Sequence, residues 1–173
     1  IIFAKSDGSS VSANQESESS AYTLGLDTPY GANGLFGIAF TFGSDDVDVG
    51  SEGSKLESDN YSFSIYASNR LAKQLPIEAQ LGLGKMQMNT KRIEESIPHL
   101  GNREVNMIFG SAAIVGESIS QGNIKIKPYG RLEAAHINFE EFSESGSHLA
   151  LTFKEQELNQ RMVSVGFDLD YEI

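Results

Sequence analysis

The chain has 173 residues, 39% of them hydrophobic, with 17 Gly and no Cys, so disulfide scaffolds and thiolate metal sites are excluded. Its formal net charge of −11 argues against a nucleic-acid partner, which is usually met by a basic surface. It has no run of about 18–20 apolar residues, which excludes a transmembrane helix but not a transmembrane barrel of half-polar strands.

Ile1 to Lys5 reads as the end of a strand, without an initiating Met or a signal-peptide pattern, so the chain is expected to be a piece of a longer precursor. Asp7-Gly8 and the polar run to Ser20 read as a loop, Ala21 to Asp27 as a strand, and Thr28 to Gly34 as a Pro/Gly/Asn turn containing Gly31. Leu35 to Ser44 alternates cleanly, and the apolar pattern stops at Asp45-Asp46. Asp45 to Asn60 reads as a long acidic loop, with six acids against Lys55. Strands follow at Tyr61 to Arg70 and Ile77 to Met88, separated by a short turn from Leu71 to Pro76. Met88 to Arg103 reads as a second long loop, whose Lys91 to Ser96 segment is too short for a stable helix. Val105 to Ser120 has a muddled pattern that suggests a bulge. Gln121 to Asn123 is a short link, Ile124 to Phe142 a further strand, and the region after Phe142 a long connection. Leu158 to Ile173 alternates most clearly of all.

The expectation is an all-β, antiparallel, up-and-down barrel of outer-membrane type, with about eight strands present as a single domain over 1–173. Long and short connections alternate, as in a barrel with one looped and one trimmed end. Phe36, Ile38, Phe40, Phe42, Phe63, Ile65, Leu81, Leu83, Val163, Val165, Phe167 and Leu169 fall on a large apolar parity, expected to face lipid. Gly37, Ala39, Ser62, Ser64, Glu78, Gln80, Arg131, Glu133, Asp168 and Asp170 fall on a small or ionisable parity, expected to face a wet lumen. Arg131 and Glu133 could pair there. Tyr22, Phe42, Tyr61, Tyr129 and Tyr171 fit interfacial belts near strand ends. Met86 and Met88 read as a strand leaving the bilayer.

Few residues point to chemistry. His99 is placed in a loop, and His136 and His148 flank a turn where Glu140 or Glu144 could complete a His–carboxylate site. No G-x-S-x-G nucleophile motif and no phosphate-binding Gly motif is present, and no cofactor or metal is expected. The acidic stretch does not match the spacing of an EF-hand and reads as solvated.

From Lys127 the sequence resembles the β-domain of bacterial autotransporters. Pro128, Tyr129, Arg131 and Leu132 match a Pro-Tyr-x-Arg-Leu strand, and Phe142, Glu144 and Gly146 match a Phe-x-Glu-x-Gly turn. Leu149-Ala150-Leu151 and Gln156 with Ser164-Val165-Gly166 follow in order, and YTLGLD, LFGIAFTFGSDDVD and DNYSFSIYAS resemble earlier strands. The resemblance implies an outer-membrane barrel of about twelve strands, inserted by the outer-membrane assembly machinery of a Gram-negative bacterium, that accompanies export of a passenger of the same precursor. The ending FDLDYEI departs from a terminal aromatic, so the last strands are expected to be missing and the open edges to self-associate. A soluble barrel with Phe36 to Phe42 around a hydrophobic ligand, and an outer-membrane hydrolase using His136 or His148, remain alternatives.

Overall fold

The computed structural model describes residues 2–6, 13–71 and 75–171. Ile1, Gly8, the centre of the Leu71 to Pro76 turn and Ile173 lie outside them. The described residues form eleven strands: β1 (Ile2–Ser6), β2 (Gln15–Tyr30), β3 (Gly34–Val49), β4 (Ser54–Leu71), β5 (Leu75–Glu94), β6 (Ile97–Val115), β7 (Ile119–Gln121), β8 (Ile124–Phe139), β9 (Phe142–Ser143), β10 (Thr152–Phe153) and β11 (Gln156–Tyr171). No helix among them is long and apolar enough to cross a membrane. The main sheet runs β1-β2-β3-β4-β5-β6-β8-β11, with β7 beside β8 and a separate β9–β10 pair. Every pairing is antiparallel. This is an up-and-down meander whose edges, β1 and β11, do not pair with each other among the described residues.

The two expected long loops are hairpins instead. Asp45 pairs with Ser58, Asp46 with Glu57 and Val49 with Ser54. The chain turns through 50–53, where Gly50 and Gly53 take φ of 70° and 82°. Lys91 pairs with Leu100 and Glu94 with Ile97, closing on the two-residue turn Glu95-Ser96 with φ of 50° and 64°. Positive φ at both positions is the twist-matched hairpin turn. Likewise, β2 begins at Gln15, inside the polar run read as a loop. The physical reason is common to all three. Hydrogen bonding continues where the apolar residues thin out or change sides, as Val47 and Val49 do between Asp46 and Asp48, so the large-face pattern ends although the strand does not.

The bulge expected after Val105 is absent. Val105 to Val115 pairs one-to-one with Phe139 to Tyr129, and Ile114 to Ile97 pairs one-to-one with Ile77 to Glu94. The pattern is muddled because bulk changes sides on β6. Met107 and Phe109 stand on the face that is small elsewhere, and Gly110 and Ala112 on the face that is large. The strand ends at Val115, short of Ser120.

A conventional core is missing. Val105 and Ala113 are the buried hydrophobic residues among those described, while Leu26, Val165 and Phe167 are 76%, 83% and 64% exposed. Sheet hydrogen bonds and small-face contacts hold the fold, and the large apolar face is unpartnered within the chain.

Candidate functional site

Directly opposed residues of an antiparallel pair share a face, so the register assigns faces across the whole sheet. One row runs Leu24–Phe40–Phe63–Leu83–Ile108–His136–Asn159. The next runs Gly25–Ala39–Ser64–Gly82–Phe109–Ala135–Gln160, on the opposite face. Phe36, Ile38, Phe40, Phe42, Phe63, Ile65, Leu81, Leu83, Val163, Val165, Phe167 and Leu169 all fall on the first face. Gly37, Ala39, Ser62, Ser64, Glu78, Gln80, Arg131, Glu133, Asp168 and Asp170 all fall on the second. Tyr129 corrects the belt assignment. It lies on the small face, where its hydroxyl would be 2.7 Å from a Cβ on Gly166. Tyr22, Phe42, Tyr61 and Tyr171 stay on the large face, with Tyr22 and Phe42 stacked at 5.4 Å.

The apolar belt on the large face is tilted against the rows. Its upper limit is Tyr22, Phe42 and Tyr61, which share one row on β2, β3 and β4. That row continues through Lys85, Asn106, Asn138 and Glu157, which are polar. On β5 and β6 the belt starts two residues further on, at Leu83 and Ile108. On β8 it starts at Ala134 and on β11 at Val163. The displacement from Glu157 to Val163 is six residues over six strand steps. One residue of about 3.3 Å per strand spacing of about 4.8 Å corresponds to a tilt of about 35°. The belt keeps its height as it descends: Tyr22 to Tyr30 and Val163 to Tyr171 each span nine residues. Crossing a bilayer takes about 9–11 residues of tilted strand.

The small face is polar and closely fitted. Gly37 and Gly82 lack a Cβ because the rings of Tyr66 and Phe109 occupy that space, each 2.3 Å from where it would sit. Tyr66 donates to Asp27 Oδ2 at 3.0 Å, and Gln80 Nε2 donates to Ser64 Oγ at 3.0 Å. Arg131 and Glu133 pair at 3.6 Å, and Lys127 and Asp170 at 3.1 Å.

At the end of the sheet carrying the Glu95-Ser96 turn, the 140–155 connection folds back onto the small face. Glu144 accepts hydrogen bonds from Arg92 Nε at 3.1 Å and Nη2 at 2.7 Å, with its side chain 3% exposed. Those bonds hold its carboxyl below the ordinary carboxylate range, against the upward push of burial. Phe142 stacks on Phe153 at 4.8 Å and fills the space beside Gly101. Arg103 lies over Phe139 and Phe142 at 5.0 and 5.5 Å. His99 is fully buried, on a strand rather than in a loop, and its Nε2 meets Ser147 Oγ at 2.8 Å.

His136 is not brought to Glu140 or Glu144, while buried His99 lies near enough to Glu144 to help hold its carboxyl down. Glu144 is engaged by Arg92, Glu140 accepts from Asn106 at 3.0 Å, and His136 Nδ1 meets Asn159 Oδ1 at 3.0 Å on the large face. No group of three or more His, Asp or Glu able to hold a metal is found among the described residues. Arg92 and Gly101 are the site residues that sequence reasoning missed, and His99 was expected in a loop. The available signal was Arg92 itself, whose small-face parity would have emerged had the hairpin been extended through the supposed loop.

Residues 2–173 match the family described as Autotransporter beta-domain. No curated protein sequence matches the chain. Among solved structures, the translocator domain of autotransporter NalP from Neisseria meningitidis is similar with a TM-score of 0.82 at 14% identity, over 90% of this chain and 55% of that one. The ferric yersiniabactin uptake receptor FyuA from Yersinia pestis gives 0.45 at 10% identity, over 94% of this chain and 27% of that one. The chain thus spans little more than half the length of the translocator domain it resembles. With its meander and match from end to end, the chain belongs to the autotransporter β-domain family.

Proposed function

We propose that this chain is the larger part of an outer-membrane translocator barrel in a Gram-negative bacterium, anchoring and supporting export of a passenger of the same precursor. The large face meets lipid and the small face lines the lumen. The role is transport, with no catalytic group. Residues 1–173 then form one barrel domain, which further strands complete at β11. Lipid, the passenger and the outer-membrane assembly machinery are its partners. The observation that carries this reading is the apolar belt, bilayer-high on β2 and on β11 and displaced by six residues over six strand steps. A soluble barrel enclosing a ligand with Phe36, Ile38, Phe40 and Phe42 fits poorly, since these four are 40–45% exposed on an unpartnered face.

The chain has no cysteine, so single cysteines can test the faces directly. In the full-length protein in cells, a small water-soluble maleimide should label Ala39→Cys and Ser164→Cys but leave Phe40→Cys and Val165→Cys unlabelled. Equal labelling of both sets would refute the assignment.

A further inference from the structure

We propose that residues 140–155 form a latch folded over the mouth on the lumen side of the sheet, pinned by Arg92 and Glu144, which must release for a chain to pass. The inference rests on the translocator reading and adds to it a closed state and its fastening.

The latch lies on the side assigned to the lumen. His99, Gly101 and Arg103 have the same parity as Val105 on β6, and Thr90 pairs with Gly101. The side chains that hold Phe142, Glu144 and Ser147 project from that face, while Glu140 and Glu155 at the ends of the segment accept from Asn106 and Asn138 on the other. Phe142 sits where a Cβ on Gly101 would be, at 2.3 Å, so Gly101 is its seat. Arg92 Nη2 also donates to the carbonyl of Leu149 at 3.0 Å, binding both limbs of the loop. Ser147 closes over buried His99, whose Nδ1 has no hydrogen-bond partner.

The fastening is slight beside the ladders that hold the sheet. After Glu140, whose amide donates to Glu104, the backbone bonds that tie this segment to β6 are the two exchanged by Leu100 and Ser145, at 2.9 and 2.7 Å. What remains are side-chain contacts: Arg92 with Glu144 and the Leu149 carbonyl, His99 with Ser147, Arg103 with the Glu140 and Lys154 carbonyls, and Phe142 seated on Gly101 under Arg103. A carboxylate at 3% exposure is tolerated only while its cation is present. Removing the arginine leaves an uncompensated buried charge, and moving the loop into water relieves it. The segment therefore has two discrete arrangements, docked with the pair formed or released with both charges solvated.

The test uses the full-length protein in planar bilayers, with heat-modifiable gel mobility confirming that each variant is folded. Arg92→Ala removes the pin, and Gly101→Val unseats Phe142 without touching a charge. Both should raise channel conductance severalfold over the wild type. The pair Leu100→Cys with Ser145→Cys, oxidised, should keep conductance at the wild-type level and hold back passenger appearance at the cell surface until reduced. Wild-type conductance in both Arg92→Ala and Gly101→Val would overturn the latch. Should Arg92→Ala not fold, Gly101→Val and the cysteine pair decide. Absence of any channel in the folded wild type and in both folded variants would instead overturn the translocator reading on which the latch depends.

Discussion

Phe40 and Gly37 lie on the same strand and do opposite work. Phe40 presents a ring outward, 45% exposed, while Gly37 withholds a side chain so that Tyr66 can lie across it. Under the proposed reading, Phe40→Arg should cost about 2–4 kcal/mol of folded stability in lipid, as for a cation near a bilayer midplane. Asp59→Arg, above the belt on the same face, should change stability by about 0.5 kcal/mol or less. Reversible denaturant titration in lipid vesicles compares the two. Gly82→Val should destabilise because Phe109 occupies the space of the new side chain. Glu144 carries the pH dependence of the 140–155 segment. Its pKa is lower docked than free, so its contribution is complete above the ordinary carboxylate range and is lost as pH falls through the depressed value. The Leu151 amide, 3.0 Å from Glu144 Oε2, should report that loss by NMR in acid, and Glu144→Gln should abolish it.

At the scale of elements, the sequence located each long strand but cut most of them short. Val163 to Tyr171 and Phe36 to Phe42 were legible because one face is uniformly large and the other small. Asp45 to Val49 were illegible as part of the strand because the parity inverts, with Asp46 and Asp48 on the large face and Val47 and Val49 on the small one, and Arg92 to Glu94 because Ile93 stands alone between charges. The Glu95-Ser96 turn carried no cue either, since neither residue is the Asn or Gly that its positive φ favours. That mismatch is testable: Glu95→Asn with Ser96→Gly should stabilise the hairpin by about 0.5–1 kcal/mol, measured by the denaturation midpoint. The candidate site was half legible. Phe142, Glu144 and Gly146 stood out as a motif, but their partners Arg92, His99 and Gly101 were hidden by the same lost alternation.

For the molecule as a whole, the tilt of the belt is a collective property that no single strand displays. Read singly, Asn106, His136 and Arg161 look like flaws in the large apolar face. Once registered across six steps, they lie above its upper limit. Polarised infrared spectroscopy of the full-length protein in oriented bilayers should find strands inclined by about 35–45° to the normal. Strands close to parallel with the normal would contradict the staircase.

The overlong hairpins have a consequence for reach. β5 runs eleven residues past Leu83 before it turns, so at the inferred tilt the Glu95-Ser96 tip stands about 30 Å beyond the apolar belt. A paired ribbon holds that height without slack, which makes the tip a mast rather than a tether. A probe too bulky to approach the bilayer, such as an antibody against a peptide spliced between Glu95 and Ser96, would find its target at a fixed distance from the lipid.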